Sequence, residues 1–419
     1  MKRLILVLCI MLFLPCIALA GKGGGNTQPS APWPMFGNNP QHTGQSSYAG
    51  PSAGTIKWEV PTGMFNNYKA GNIAIGQDGT LYVTGDVYNP ETMVHDGVLA
   101  AYNPSDGTLK WQTVMITNGA ANTAPAIGSA GVIYAEGYSN SSSTRYLYAL
   151  NQSGQLQWQT FLGGTPPYTS IITVGKDGTI YVPGSELTAV NPDGTIKWVY
   201  YCPAKCSSVA ISPAGDAIYT VMISYTTLSP RLLALNTNAG YLWDFSIGNS
   251  GHFVQVDQVN PIAVDGDGTI YLEGIWDNTP YLHAVTPSGI EKWSYLIDRT
   301  TAGELLNPTV SKRGNIYFMI PGSDFSTSDI YALDSRGRFK WKYTINASCT
   351  NNSPAIDPNE NIYFAGDNGV VYSLTSGGVL RWSVAPSSAQ YFWGHSPSLG
   401  KDGRLYITND NMNLYSIGK

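Results

Sequence analysis

Few side chains in this sequence have the types and spacing that chemistry requires. His252 and His395 could form an acid/base pair, because neutral imidazole titrates near working pH, but no fixed spacing links them. The run Asp265-Gly266-Asp267-Gly268 begins like a calcium loop and lacks the later glutamate. Nucleophile-elbow, His-Glu-x-x-His and phosphate-loop motifs are absent from the sequence. We therefore predict no catalytic residue and no metal site.

The N-terminus has the features of an export signal. Lys2 and Arg3 precede an apolar run that ends at Leu14, and Ala18-Leu19-Ala20 provides a small-x-small cleavage site. The apolar run is shorter than the roughly 20 residues that a membrane-spanning helix needs. We predict a signal peptide at residues 1–20 and export to the periplasm or the cell exterior.

The cysteines fit an oxidising compartment. A lipoprotein signal would place small residues before Cys16, but Phe13-Leu14-Pro15 stands there, which argues against lipidation. Beyond the leader, Cys202 and Cys206 are candidates for a disulfide, which would leave Cys349 unpaired. The alternative is three free thiols.

Composition indicates short strands joined by tight turns. Charged residues are only 12% of the chain, whereas Gly numbers 46, Pro 26, Tyr 27 and Trp 11. Glycine turns and large flat side chains suit strands, and long solvated helices would need more charge. Without Lys2 and Arg3, the 23 basic residues fall to 21 against 28 acidic ones, a net charge of −7. That balance excludes nucleic acid as a partner, and no later segment is apolar enough to span a membrane.

Two markers recur along the chain with one period of about 46 residues. The first is a tryptophan that follows a glycine by four residues, or by three in the fifth case. Its positions are Trp58, Trp111, Trp158, Trp198, Trp243, Trp293, Trp341 and Trp382. The second is an aliphatic residue followed by tyrosine, at Tyr82, Tyr134, Tyr181, Tyr219, Tyr271, Tyr317, Tyr363 and Tyr406.

Each repeat has the size of one propeller blade, with four short strands separated by Asp, Asn and Gly turns. The strand from Thr55 to Val60 has no preceding strands, and the last unit, from Ser396 to Ile417, stops after its third strand. We predict an all-β, eight-bladed β-propeller of four-stranded antiparallel blades, in which the N-terminal strand completes the last blade and closes the ring. A linear solenoid would leave two unfinished ends.

The segments Pro32-Trp33-Pro34-Met35-Phe36 and Pro40-Gln41-His42-Thr43-Gly44, with units such as residues 177–198, resemble the PQQ-like β-propeller repeat proteins. The resemblance covers about residues 32–419, which we predict to form one domain after a flexible tether at 21–31. It implies that the eight repeat tryptophans dock between adjacent blades.

The family resemblance leaves the activity open, because members are either quinone-dependent dehydrogenases or non-catalytic scaffolds. The large dehydrogenases have two adjacent cysteines beside the quinone, whereas three residues separate Cys202 from Cys206. The sequence also lacks a recognisable Glu/Asn/Asp set for the accompanying calcium ion. We predict no cofactor, with pyrroloquinoline quinone and calcium as the alternative.

The loops that lead into each first strand would line one rim of the central channel. They contain amide, hydroxyl and imidazole side chains that could bind a polar ligand or simply cap strand ends. These candidate rim residues are Asn122, Ser170, Ser208, His252, Asn260, Asn307, Asn352 and His395.

Longer insertions at residues 88–97, 138–145, 224–231 and 322–329 are rich in Tyr, Asn, Ser and Thr, which suits contact with a protein or glycan surface. The sequence therefore predicts an exported, monomeric, non-enzymatic scaffold that binds an envelope or extracellular protein. The alternatives are a quinone-dependent oxidoreductase and a glycan-binding or glycan-cleaving propeller.

Overall fold

A computed structural model describes residues 31–65, 72–121, 123–163, 170–203, 205–223, 229–249, 261–277, 279–297, 307–322, 325–349, 352–387, 391–392 and 394–418. Within these ranges the chain forms eight antiparallel sheets, and a single 3-10 turn at Ser129–Gly131 is the only helical element. The predicted all-β propeller of eight blades is confirmed. None of the helical structure in the described ranges is long and apolar enough to cross a membrane.

The first strand, β1 (Ile56–Pro61), belongs to the last blade, and the next four blades follow in chain order. Blade 1 consists of β2 (Ala74–Ile75), β3 (Leu81–Asn89), β4 (Val94–Tyr102) and β5 (Leu109–Ile116). Blade 2 consists of β6 (Gly119–Ala120), β7 (Ala126–Ile127), β8 (Ile133–Ser139), β9 (Thr144–Leu150) and β10 (Leu156–Gly163). Blade 3 consists of β11 (Thr173–Val174), β12 (Ile180–Val182), β13 (Glu186–Val190) and β14 (Ile196–Tyr201). Blade 4 consists of β15 (Lys205–Ile211), β16 (Ala217–Ile223), β17 (Arg231–Asn236) and β18 (Tyr241–Ser246).

The remaining four blades complete the ring. Blade 5 consists of β19 (Ala263–Val264), β20 (Ile270–Trp276), β21 (Thr279–Val285) and β22 (Glu291–Leu296). Blade 6 consists of β23 (Thr309–Val310), β24 (Ile316–Pro321), β25 (Ser328–Leu333) and β26 (Phe339–Ile345). Blade 7 consists of β27 (Ala355–Ile356), β28 (Ile362–Gly366), β29 (Val370–Leu374) and β30 (Leu380–Val384). Blade 8 consists of β31 (Ser398–Leu399), β32 (Leu405–Thr408), β33 (Asn413–Ile417) and β1.

Ring closure follows the predicted route, because β1 pairs antiparallel with β33 and becomes the outermost strand of blade 8. In the register of this pair, Trp58 lies opposite Ser416 and Val60 lies opposite Leu414. The closing strand begins and ends one residue later than the sequence indicates. Blade 2 departs from four strands, since the short β6 adds a second inner partner to β8.

The two sequence markers meet inside every blade. The outermost strand provides the tryptophan, the second strand provides the tyrosine, and a small residue lies between them on the third strand, as Ala234 does between Tyr219 and Trp243. In all eight blades the tryptophan and tyrosine ring centroids lie 5.8–5.9 Å apart. The small side chain allows the two rings to touch, which explains why both markers share one period.

The same tryptophans join each blade to the next one. Every indole Nε1 donates a hydrogen bond to a backbone carbonyl in the turn before the outermost strand of the following blade. The pairs are Trp58 with Pro104, Trp111 with Gln152, Trp158 with Pro192, Trp198 with Thr237, Trp243 with Pro287, Trp293 with Ser335, Trp341 with Ser376 and Trp382 with Pro51, at 2.8–3.1 Å. A half-buried indole with a satisfied N–H therefore connects each pair of blades.

The repeat glycine lies against the indole of the preceding blade. At Gly194 the backbone φ is +88°, and a Cβ would stand 2.7 Å from Cδ2 of Trp158, so that no larger residue fits there. In blade 4 the repeat glycine, Gly240, lies one residue after the position that has the positive φ. Ala239, not Gly240, has the positive φ of +62° and lies four residues before its tryptophan, Trp243.

Candidate functional site

Residues 33–46, which we call the plug, run across the innermost strands at one end of the ring. The last residue of the innermost strand in six blades donates its backbone N–H to a carbonyl of the plug. These bonds run from Ile75 to Trp33, Ile127 to Pro34, Ile211 to Pro40, Val264 to Gln41, Val310 to Thr43 and Ile356 to Gly44, at 2.7–2.9 Å. The plug therefore satisfies the backbone donors that the innermost strands present at this end of the channel.

His42 extends the plug to blade 3. Its Nε2 lies 3.0 Å from Oγ1 of Thr173, and that hydroxyl donates its own proton to the carbonyl of Val209 at 2.6 Å. Nε2 must therefore be the donor in the first bond. The imidazole is buried, and this burial lowers the pKa of His42 to about 4. With this side-chain bond to blade 3, the plug is bonded to seven of the eight blades.

Four of the candidate rim residues precede innermost strands, opposite the end that binds the plug, and these are Ser170, Asn307, Asn352 and His395; Ser208 lies within β15. Asn122, His252 and Asn260 fall outside the described residues. The other five are buried, namely Ser170, Ser208, Asn307, Asn352 and His395. Three of the five, Ser170, Asn352 and His395, bind other residues of the protein.

Two of the rim side chains, Asn352 and His395, bind groups of their own blade. Nδ2 of Asn352 donates to the carbonyl of Ala365 at 3.0 Å. Nδ1 of His395 lies 2.9 Å from the Thr408 hydroxyl, and its Nε2 lies 3.4 Å from Asp410. These contacts stay within one blade.

Arg145 and Glu136 form a buried ion pair at the rim, which the repeat of tryptophan and tyrosine does not predict. Nε of Arg145 lies 2.7 Å from Oε1 of Glu136, and Nη2 donates to the carbonyl of Pro183 in blade 3 at 2.9 Å. Ser170 donates to the second oxygen of Glu136 at 2.6 Å. Both charged side chains are at most 3% exposed. A Cβ at Gly184 would stand 2.1 Å from Nη1 of Arg145, so a glycine makes room for the guanidinium.

Blade 1 presents an exposed apolar surface on the long hairpin between β3 and β4. His95 lies between the rings of Phe65 and Tyr88, with centroid distances of 5.4 and 5.6 Å. Tyr88 is 50% exposed, and Met93 at the hairpin tip is 76% exposed. We call Phe65, Tyr88, Met93 and His95 the blade-1 patch.

The backbone holds the blade-1 patch in place. Phe65 and Asp86 exchange both backbone hydrogen bonds, at 2.7 and 2.8 Å, which fixes the first aromatic residue against β3. The Asp86 side chain is buried and accepts the N–H of Ala121 at 2.8 Å. Burial raises the pKa of Asp86 to about 6.

The family model described as "Outer membrane protein assembly factor BamB" matches residues 48–272 and 143–418 of the chain. The chain belongs to this family. No curated protein matches the sequence.

Solved structures share the fold of this BamB-family chain at low sequence identity. The europium-containing methanol dehydrogenase is 13% identical, with a TM-score of 0.69 over 91% of this chain and 89% of that one. BamB from Moraxella catarrhalis is 14% identical, with a TM-score of 0.58 over 86% of this chain and 100% of that one. The Dos1 propeller is 10% identical, with a TM-score of 0.59 over 86% and 95%. These likenesses show the fold alone.

The cysteines of this BamB-family chain do not reproduce an adjacent pair. Cys202 and Cys206 form a disulfide across a separation of four residues, with Cα atoms 5.9 Å apart. Cys349 is a buried thiol, and burial raises its pKa. The cysteine arrangement thus differs from the adjacent pair of the large quinone dehydrogenases.

Three carboxylates of this BamB-family chain that lie near candidate sites bind groups of the protein itself. Both oxygens of Glu136 accept hydrogen bonds at the rim. Asp265 accepts the N–H groups of Asp267 and Thr269, as the turn of its own hairpin requires. Lys292 lies 3.3 Å from Asp267. Within the described ranges, no group of three His, Cys, Asp or Glu side chains is placed to hold a metal ion.

Proposed function

We propose that this protein is an exported, non-enzymatic scaffold that binds another protein of the cell envelope or exterior through the blade-1 patch. The leader sequence supports export, and membership of the BamB family supports an interaction role. The observation that carries the proposal is the exposure of Tyr88 and Met93 on the hairpin between β3 and β4, and of Phe65 beside it.

The chemistry of the patch suits a protein partner. Aromatic residues and methionine are enriched in the centres of protein interfaces, where they fill pockets on the partner. Polar groups lie beside the patch on the same hairpin, because Asn89 donates to Asp96 at 2.9 Å and Asp96 accepts the N–H of Asn118 at 2.9 Å. An apolar centre with a polar edge is the usual anatomy of a recognition surface.

The proposal is tested by affinity capture from envelope extracts with the full exported chain. We expect a specific protein to be recovered by the wild type and lost with the double substitution Tyr88→Ser and Met93→Ser. Phe325→Ser is the matched control, because Phe325 is 48% exposed between β24 and β25, the equivalent hairpin of blade 6. Recovery that is unchanged by the blade-1 substitutions, or no specific recovery in repeated trials, would count against the proposal.

Two further measurements separate the alternatives. Absorption spectra after incubation with pyrroloquinoline quinone and calcium test the oxidoreductase, and stoichiometric retention of the quinone would overturn the non-enzymatic role. A glycan array tests the third candidate. Specific glycan binding that is lost with Tyr88→Ser would assign the same patch to a sugar instead of a protein.

A further inference from the structure

Among the described residues, the outermost strand of each blade pairs with one other strand only, so its second side is a sheet edge. Such edges attract other strands, and proteins commonly protect them with charged side chains. Seven of the eight outermost strands contain at least one charged residue: Lys57 in β1, Lys110 in β5, Lys197 in β14, Asp244 in β18, Lys292 in β22, Lys342 in β26 and Arg381 in β30.

The eighth edge, β10, has no charge. Its sequence is Leu-Gln-Trp-Gln-Thr-Phe-Leu-Gly, and no charged residue occurs anywhere between residues 146 and 175. With eight residues, β10 equals β5 as the longest of the outermost strands. One of the two longest outermost strands therefore lacks the charged side chain that each of the other seven contains.

The exposed face of β10 is partly apolar. Trp158 and Thr160 bond to Pro192 and Gly194, so they face blade 3. The alternate side chains, Gln157, Gln159 and Phe161, face away from blade 3 and are exposed. Phe161 is 53% exposed, and its ring meets Tyr146 edge-on at 5.5 Å.

We propose that β10 is a dimerisation edge, where two copies of the chain pair antiparallel about a two-fold axis at Gln159 and join their blade-2 sheets. This departs from the monomer that the sequence predicted, and it is independent of the proposed scaffold role.

Symmetry is the reason for choosing a second copy as the occupant. A two-fold axis places the central side chain opposite its own copy, so a lysine there would face a lysine. The Gln159 amide both donates and accepts hydrogen bonds, so two copies of it can pair. In the same register Gln157 lies opposite Phe161 of the second copy. Three other outermost strands place a charge at the position equivalent to Gln159, where it would face its own copy, and these charges are Glu59, Asp244 and Lys342.

Sedimentation equilibrium of the full exported chain, at micromolar and submillimolar concentration, tests this proposal. We expect the mass of the wild type to double as concentration rises, and Gln159→Lys to remain at the mass of one chain. The matched control is Gln112→Lys, which changes the same position of β5, one residue after its tryptophan. This control should dimerise like the wild type.

A mixture of Gln159→Lys and Gln159→Glu chains should recover the doubled mass, because the two-fold axis then brings opposite charges together. Near-ultraviolet circular dichroism checks that each variant is folded. The proposal is wrong if the wild type stays at the mass of one chain, or if Gln159→Lys dimerises as readily as Gln112→Lys. Failure of the mixture to dimerise would overturn the register.

Discussion

At the scale of single residues, the turn whose carbonyl accepts the indole N–H of Trp158 needs a residue with positive φ that also packs against the indole ring. Gly194 and Ala239 occupy equivalent positions, two residues after the carbonyl that accepts the indole N–H. Both have positive φ, but only the first is a glycine. Ala239 therefore holds a left-handed conformation that disfavours an L-residue by about 1–2 kcal/mol.

Opposite substitutions at these two turns should change stability in opposite directions. Ala239→Gly should stabilise the fold by up to about 1 kcal/mol, because it relieves the left-handed conformation at some cost in unfolded-state entropy. Gly194→Ala should destabilise it by about 2 kcal/mol or more, because the new Cβ also meets Trp158. Urea unfolding midpoints measure both changes. Destabilisation by Ala239→Gly would contradict the assignment of this turn.

His42 should make stability fall as the solution becomes more acidic. The unfolded chain protonates this imidazole below about pH 6.5, but the folded chain does so only near pH 4. The unfolded state therefore binds more protons in that window, and the fold loses up to about 3 kcal/mol as pH falls from 6.5 to 4. The free energy of unfolding, measured by urea titration at several pH values, gives the slope.

The matched variant for this pH effect is His42→Gln, whose amide can still donate to Thr173. Asp86 acts in the other direction, because its raised folded pKa gives stability that is lost as pH rises through about 6. The difference between the wild-type and His42→Gln profiles isolates the histidine. Parallel profiles would show that His42 does not titrate as described.

At the scale of elements, the blade is a row of tyrosine, small residue and tryptophan that extends into the next blade through one hydrogen bond. Six blades place Ala between the rings, and blades 7 and 8 place Ser373 and Ser416 there. Ring contact therefore depends on the size of the middle residue more than on its polarity.

Trp158 separates the two contributions of the indole. Trp158→Phe keeps an aromatic ring but removes the N–H that Pro192 accepts, and should cost about 1 kcal/mol. Trp158→Ala also removes the ring from between blades 2 and 3 and should cost about 3–5 kcal/mol. Thermal and urea unfolding give both values. Equal losses for the two variants would mean that the hydrogen bond, and not burial, holds the blades together.

The sequence predicts elements better than it predicts the site. The tryptophan and tyrosine spacing predicts eight blades and the closing strand because every blade repeats the same contacts. The plug has no repeat, so only its resemblance to the family marks it, and its bonds to separate blades are not visible in the sequence. The buried pair of Arg145 and Glu136 is missed for a similar reason, since it joins only blades 2 and 3 and is not part of the repeat.

At the scale of the whole molecule, the N-terminal segment is fixed to the ring twice. The plug bonds to the innermost strands at one end of the channel, and β1 completes the outer edge of blade 8. The bonds of Ser396 to Asn72 and of Ser398 to Ile73 add a direct link between blades 8 and 1. The closure thus has contacts at the centre and at the periphery.

Stepwise N-terminal deletion should resolve these contacts. Removal of residues up to Ser30 should leave the melting temperature almost unchanged. Removal up to Ala49 should lower it, because the bonds of the plug to the blades are lost. Removal up to Pro61 should lower it most, because blade 8 then loses its outermost strand. Differential scanning calorimetry compares the three, and equal melting temperatures would contradict the closure.

The plug and β1 also determine the order in which this chain can acquire its native contacts. Gln45 bonds to Asp357, and β1 pairs with β33 near the C-terminus, so these residues reach their partners only after more than 300 others have been synthesised. Contacts of such long sequence separation form slowly. The first folded residues to leave the ribosome are thus the last to be paired. In the meantime they present an open strand to chaperones, to proteases and to the last blade of a neighbouring nascent chain.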